Sequence, residues 1–365
     1  MKGTSVSFAQ LWMSVCSALL TMAFHTLPRG AALITSTAAP WAILVSGGLA
    51  LLLFWPVAAT LARLPGKNLT DLALTAGGRS LAIAAALLLG GFAVASAGLG
   101  VRQVSEMVVT ALYPHTPQTL AMVSLLAVAA LGASMTPAGA LWIGSLLTWP
   151  MLTSILVLVV GNVGWGQFRN LVPLTGHGVL PTARELLPLT SYASPLVYVA
   201  IFCSLLPSPA KLVRASVYAM GVSVVTWALV VLLYLMVYPM PGGLDVQFPL
   251  FEMSRLVQGG RHFERMDALW LVFWTFGAAG RLTEALMGTA LVFQNAFRLP
   301  DHRGAVLPLA MATLAVGLFP SNQAGAVDAE THILRRWGFL VVLVLPLLIA
   351  MLARLRARRK GGRHA

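Results

Sequence analysis

The sequence predicts an all-α integral membrane protein of about ten transmembrane helices, and three observations predict it. Of its 365 residues, 58% are hydrophobic and only 10% charged, whereas a soluble domain carries roughly 25% charged residues. The mean hydropathy is +0.83. The apolar residues gather into ten segments, and none alternates with a period of two as a barrel strand would. At roughly 20 residues per crossing, ten spans take up about 200 residues and leave the remainder for connections. A single transmembrane domain over 1–365 is expected.

The segments run approximately Phe8–Ser36, Trp41–Ala62, Ser80–Leu112, Thr119–Met135, Ala140–Val160, Leu187–Leu206, Leu212–Tyr238, Asp267–Phe297, Gly304–Phe319 and Trp337–Leu355. The first follows Lys2 and is too long for a signal peptide, so it reads as a retained span. Leu64-Pro65-Gly66 closes the second, Pro114-His115-Thr116-Pro117 the third and Pro239-Met240-Pro241-Gly242-Gly243 the seventh, all strong turn formers. Connections near 161–186 and 240–265 are long. The second holds Leu250, Met253 and Val257 at helical spacing, so an amphipathic lid or a helix resting on headgroups is expected there.

The net charge is +13, yet the basic residues punctuate the ends of apolar runs and do not form a patch interleaved with aromatics. That pattern excludes nucleic acid as a partner. With the N-terminus inside, Lys2, Arg63, Lys67, Arg79, Lys211, Arg214, Arg298 and Arg303, together with Arg354 and the basic tail 356–365, fall on one side. The bias is about two to one over the other side, which favours cytoplasmic N- and C-termini. Cys16 and Cys203 both lie in apolar runs and read as small buried hydrophobes.

The backbone is expected to break in two places. Thr21-Met22-Ala23-Phe24-His25-Thr26-Leu27-Pro28-Arg29-Gly30 puts hydroxyls, an imidazole, a proline and a cation into the first span. In lipid such an interruption survives only where it faces protein or a watery cavity. The sixth span has a counterpart at Ser191-Tyr192-Ala193-Ser194-Pro195. The two lie five spans apart, and an odd spacing gives halves of opposite membrane sense. That is a 5+5 inverted repeat whose discontinuous helices meet near the midplane around a ligand. The approximate repeats are 8–160 and 187–355. A half-helix N-terminus there suits a carboxylate and unwound carbonyls suit an ammonium, so an α-amino acid fits both.

The candidate ligand-binding residues are Thr21, Ala23, Phe24, His25, Thr26, Ser96, Tyr192, Ser194, Arg281, Thr283 and Glu284. Arg281 and Glu284 share a face of the eighth span at i, i+3. Two readings stand for them, a ligand or ion pathway and a structural ion pair. Arg102 and Glu106, at i, i+4 near the end of the third span, read as a structural pair. His25 is a protonation switch or an imidazole bonded to a neighbouring carbonyl. Ser96 and Thr283 line a pocket or bond their own helix backbone. Gly98-Leu99-Gly100 follows no strand, so it implies no dinucleotide fold. No HExxH, CxxC or P-loop occurs. Neither catalysis, a cofactor nor a metal is expected.

Gln10 and Pro28 lie in the first span, and Arg102, Glu106, Leu112-Tyr113-Pro114 and Thr116-Pro117 around the end of the third. Asn170-Leu171-Val172-Pro173 follows the fifth. Pro249, Arg255, Phe263-Glu264-Arg265-Met266-Asp267 and Trp274 make a later block, and Phe319-Pro320-Ser321-Asn322 the closing one. Together these motifs resemble the spore germination proteins of the GerAB type, permease-like B subunits of nutrient germinant receptors. The chain departs from the pattern at Ala23, Phe24 and His25, where the family usually has a glycine, at Pro195 and at Arg281.

The resemblance implies a 5+5 inverted-repeat amino-acid-permease (LeuT-like) fold of the amino acid–polyamine–cation transporter superfamily, with helices 1 and 6 broken. It implies a sensor in the spore inner membrane. Its ligand would be a small-molecule nutrient, commonly an amino acid, and its partners a membrane A subunit and a lipoprotein C subunit. The alternative is an amino-acid secondary transporter of the same fold.

Overall fold

The computed structural model describes residues 6–24, 27–112, 114–257 and 266–361, and every regular element among them is helical. Six helical stretches are long and apolar enough to cross a membrane, and three shorter apolar helices accompany them. With the 32-residue helix Met266–Phe297, ten crossings result.

The first span is in two pieces, α1 (Phe8–Phe24) and α2 (Leu27–Thr35). His25 and Thr26 lie outside the described residues. Ser7 and Gln10 cap α1 reciprocally, with Ser7 N–H donating to Gln10 Oε1 at 2.8 Å and Gln10 N–H to Ser7 Oγ at 3.1 Å. That is a capping box. The second span is α3 (Ala39–Leu61). The third, α4 (Leu69–Ala111), runs 43 residues and starts earlier than expected. Its start is set by the Asn68/Asp71 capping box, and Gly78, at φ +74°, bends the helix two residues before the expected boundary at Ser80. Left-handed φ is open to glycine without a Cβ clash.

Next come α5 (Gln118–Ala133) and α6 (Pro137–Asn162). The sixth span runs over Val179–Leu205. It consists of α7 (Val179–Leu189), a 3₁₀ stretch (Thr190–Leu196) containing Pro195, and α8 (Val197–Phe202) with a final 3₁₀ turn. The expected interruption is present, but the backbone tightens there and does not unwind. After α9 (Leu212–Val237) comes the short α10 (Pro249–Leu256). Leu250 and Met253 on α10 are buried against α6, α9 and α11. The apolar face of the amphipathic segment is therefore turned onto the bundle, as a lid would be. The eighth and ninth spans are α11 (Met266–Phe297) and α12 (Arg303–Leu318).

The last span corrects the sequence reading. It begins at Gln323 and not at Trp337. Its pieces are α13 (Gln323–Asp328), a π-helical turn (Ala329–Arg335), α14 (Arg336–Phe339), a second π turn (Leu340–Val344) and α15 (Leu345–Gly361). Glu330 and Arg335 thus lie within the bundle, although hydropathy puts them in a connection.

Small residues set the closest crossings. A Cβ on Gly98 would lie 2.7 Å from the Thr313 carbonyl oxygen, and one on Gly317 would lie 2.8 Å from that of Gly98. The backbones of α4 and α12 therefore touch, as small-residue contacts allow in lipid. The α1 helix is enclosed by α6, α9, α11 and the 190–196 stretch. That enclosure places both interrupted spans at the centre of the molecule.

Candidate functional site

At this centre lies a polar cluster in an apolar shell. Arg335 is 2% exposed and donates from Nε to Glu330 Oε1 at 3.1 Å. Its Nη1 donates to the Ser191 carbonyl at 3.0 Å and to Ser194 Oγ at 3.3 Å. Its Nη2 reaches Ser96 Oγ at 3.1 Å. The guanidinium carbon sits 4.9 Å from the Tyr192 ring centroid and 5.9 Å from that of Phe92, two cation–π contacts. Gln103 Nε2 satisfies the other Glu330 oxygen at 2.7 Å. One guanidinium thus ties the last span to the third and to the 3₁₀ stretch of the sixth. Ser191 Oγ closes the loop by donating to the Arg335 carbonyl at 2.6 Å.

Arg281, on α11, donates from Nη2 to the same Ser96 Oγ at 2.9 Å. Two guanidiniums therefore converge on one hydroxyl, and a single carboxylate, Glu330, pairs with one of them. Arg281 and Glu284 form no ion pair, which sets aside the structural-pair reading. Glu284 instead accepts from Ser14 Oγ on α1. Its Oε2 has no partner among the described residues. Both groups face Gly144 on α6, where a Cβ would overlap Ser14 Oγ and Glu284 Oε1.

Beside the cluster is a cavity of about 20 Å³ lined by Met22, Phe92, Ser96, Ser194, Tyr198 and Arg281, with apolar residues completing the wall. That volume holds about one water, so the chamber is small. Where α10 packs on the bundle, Phe24 lies edge-on to Trp270 at 5.5 Å, Trp270 stacks on Trp274 and Phe251 leans on Trp270.

The sequence-derived candidates divide. Ser96, Tyr192, Ser194 and Arg281 come together in this cluster. Phe24 packs in the aromatic group around Trp270 and does not line the chamber. Ala23 is fully buried. Thr21 bonds the Ser17 carbonyl at 2.8 Å and the Gly277 carbonyl at 3.4 Å, joining α1 to α11. Thr283 turns to the Ala129 carbonyl on α5 at 3.4 Å and is no lining residue of the chamber. Glu284 occupies the separate niche beside Ser14. His25 and Thr26 fall outside the described residues. Arg102 and Glu106 are paired at 3.2 Å as expected, and Arg102 also holds the Ser321 carbonyl.

Sequence reasoning missed Met22, Gln103, Tyr198, Glu330 and Arg335. For the last two a signal exists. Glu and Arg five residues apart do not share an α-helical face, but they do on a π-helical turn, a feature frequent at functional sites.

Comparisons agree with the architecture. Mhp1, a nucleobase-cation-symport-1 family transporter in a closed conformation with bromovinylhydantoin bound, matches with a TM-score of 0.63 at 15% identity, over 95% of this chain and 93% of that one. The inward-facing conformation of Mhp1 matches with a TM-score of 0.59 at 14% identity, over 94% and 75%. The Eremococcus coleocola manganese transporter bound to an aromatic bis-isothiourea compound matches with a TM-score of 0.55 at 14% identity, over 93% and 78%. These likenesses show that the chain shares the fold of these transporters. No curated protein matches. The family model described as "Spore germination protein" matches residues 5–325, and the chain belongs to that family of multi-pass membrane proteins.

Proposed function

We propose that this protein is the nutrient-binding B subunit of a spore germination receptor, with an amino acid as its ligand. The observation that carries the reading is the central chamber, where side chains from the first, third, sixth, eighth and last spans meet around buried charges. Charges at that depth are costly and mark ligand or ion pathways. Membership of the spore germination family sets the biological context.

In this reading the chain sits in the spore inner membrane with both termini cytoplasmic. It works beside a membrane A subunit and a lipoprotein C subunit. The small chamber is a shut state. A nutrient that binds an opened state more tightly shifts the population toward it, by as much as its affinities for the two states differ. The buried Arg335 cluster joins three spans, so a rearrangement at the ligand is passed to all of them.

The reading is tested by deleting the gene and scoring germination against a nutrient panel. Loss of response to one or a few amino acids is expected, and unchanged responses to every nutrient would defeat it. A second reading, secondary transport, draws on the transporters that share the fold. Uptake of an amino acid by the purified chain alone in liposomes would favour it.

A further inference from the structure

We propose that Arg281 is the anchor for a ligand carboxylate, a proposal that rests on the ligand-binding reading above and names the chemical group the site recognises. Arg281 is 6% exposed. A guanidinium carries five N–H donors and stays charged. Among the described residues a single one of those donors meets a partner, Ser96 Oγ, and no carboxylate lies within ion-pair distance. Glu330 is taken up by Arg335 and Gln103. Glu284, one turn along α11, is turned toward Ser14 and the Gly144 niche. Two buried guanidiniums, Arg281 and Arg335, thus share the field of one carboxylate whose oxygens are taken by Arg335 and Gln103. An excess of buried positive charge is an expensive arrangement, and an arriving anion lowers the cost.

The surroundings specify which anion. The planar fork of a guanidinium matches a carboxylate through two parallel hydrogen bonds. Arg335 Nη2 points at the same serine hydroxyl, so an anion beside Ser96 meets two positive groups. Ser194 and Tyr198 add hydroxyls, while Met22 and Phe92 supply an apolar wall, suited to a small organic acid with a modest apolar substituent.

The sixth-span break does not supply the half-helix N-terminus that two broken helices lead one to expect. The backbone there stays in 3₁₀ form, and the Val197 N–H is already directed to the Ser194 and Pro195 carbonyls.

The test is calorimetric titration of the full chain in lipid nanodiscs. The probes are L-alanine, L-valine and L-proline, each beside its primary amide, with acetate and L-lactate as carboxylates lacking an amine. At least one acid should bind, and its amide should bind at least about tenfold more weakly. Arg281→Gln should weaken the acid by about tenfold to a thousandfold, as loss of one partner of a buried charge pair does, and leave the amide unchanged. Arg281→Lys, which keeps the charge, should fall between. Ser96→Ala should weaken binding but retain the preference for acid over amide, which guards against a folding defect in the arginine variants. Equal binding of acid and amide would overturn the proposal. So would discrimination that survives in Arg281→Gln, or a failure of every carboxylate probe to bind. Binding of acetate or lactate with the amino acids inert would uphold the anchor and defeat the amino-acid reading. Arg281-dependent binding with germination unchanged on gene deletion would uphold the anchor and defeat the receptor reading.

Discussion

Glu330 and Arg335 stand five residues apart, and the π-helical turn between them brings Arg335 Nε to 3.1 Å from Glu330 Oε1. Both side chains are 2% exposed. An ordinary α-helix turns through about 500° over five residues and would point the two away from one another. The wider turn is thus what makes the pair, and the pair in turn holds the wide turn.

Removing one partner should therefore be worse than removing both. Arg335→Met strands a buried carboxylate and Glu330→Gln strands a buried guanidinium, each at about 3–5 kcal/mol. The double variant Glu330→Gln/Arg335→Met strands neither and should recover part of that loss. Thermal unfolding of the four proteins in one detergent, read as a double-mutant cycle, checks this. Additive losses would show that the two residues do not act as a pair.

Gly144 supplies a second prediction. It leaves room for Ser14 and Glu284 to meet across α1 and α11, and the niche has no slack for a methyl group. Gly144→Ala should cost about 1–3 kcal/mol, the usual range for overpacking a tight interior. Gly221→Ala is the matched control, because a Cβ there meets nothing within 4 Å. It should be neutral or slightly stabilising, since alanine is the better helix former. Equal Tm changes in the two variants would mean that the niche is loose.

A third concerns the crossing of α4 and α12. With Gly98 and Gly317 in backbone contact, a Cβ on either pushes the helices apart. Gly98→Ala should lower stability by about 1–3 kcal/mol, whereas Gly91→Ala, on the same helix in open space, should not. The comparison separates a packing role from a general effect of glycine in helices.

Much of the fold was legible from the chain because lipid imposes simple demands. Apolar length set seven of the ten spans near their true places, and Pro195 marked the sixth-span interruption. The third and sixth spans start earlier, at Leu69 and Val179 and not at Ser80 and Leu187. The pair Arg102/Glu106 was legible too, at ordinary helical spacing. Asn322 closes the last of the family-like motifs and caps the final span by accepting from the Gly325 N–H at 2.8 Å, so the motif marked a helix start that hydropathy overlooked. Hydropathy failed at 323–336 because Glu330, Arg335 and Arg336 lower the window there. Two of those three are buried and compensated by one another, which only tertiary structure reveals. Arg336 reaches Glu185 on α7 instead. The site was half legible. Ser96, Ser194 and Arg281 were found as polar residues at mid-span, but their shared centre, Arg335, read as a boundary charge.

The fourth prediction concerns the lid. Asn162, at the end of α6 and fully buried, donates from Nδ2 to the Met253 carbonyl at 3.0 Å and to the Leu158 carbonyl at 2.9 Å. It is a side-chain tie between α6 and the body of α10, beside apolar packing by Leu250 and Met253 and the contact of Phe251 with Trp270. Packing resists separation but tolerates sliding, whereas a directed hydrogen bond fixes register. Asn162→Leu keeps similar bulk and removes the tie, so α10 should open more often without the bundle unfolding. Amide exchange over 249–256 should rise by about tenfold, the effect of losing one net hydrogen bond of roughly 1–1.5 kcal/mol on a local opening. Exchange within α6 and α11 should stay as it was. A faster exchange spread evenly over all three helices would show that Asn162 supports the bundle as a whole and does not latch the lid.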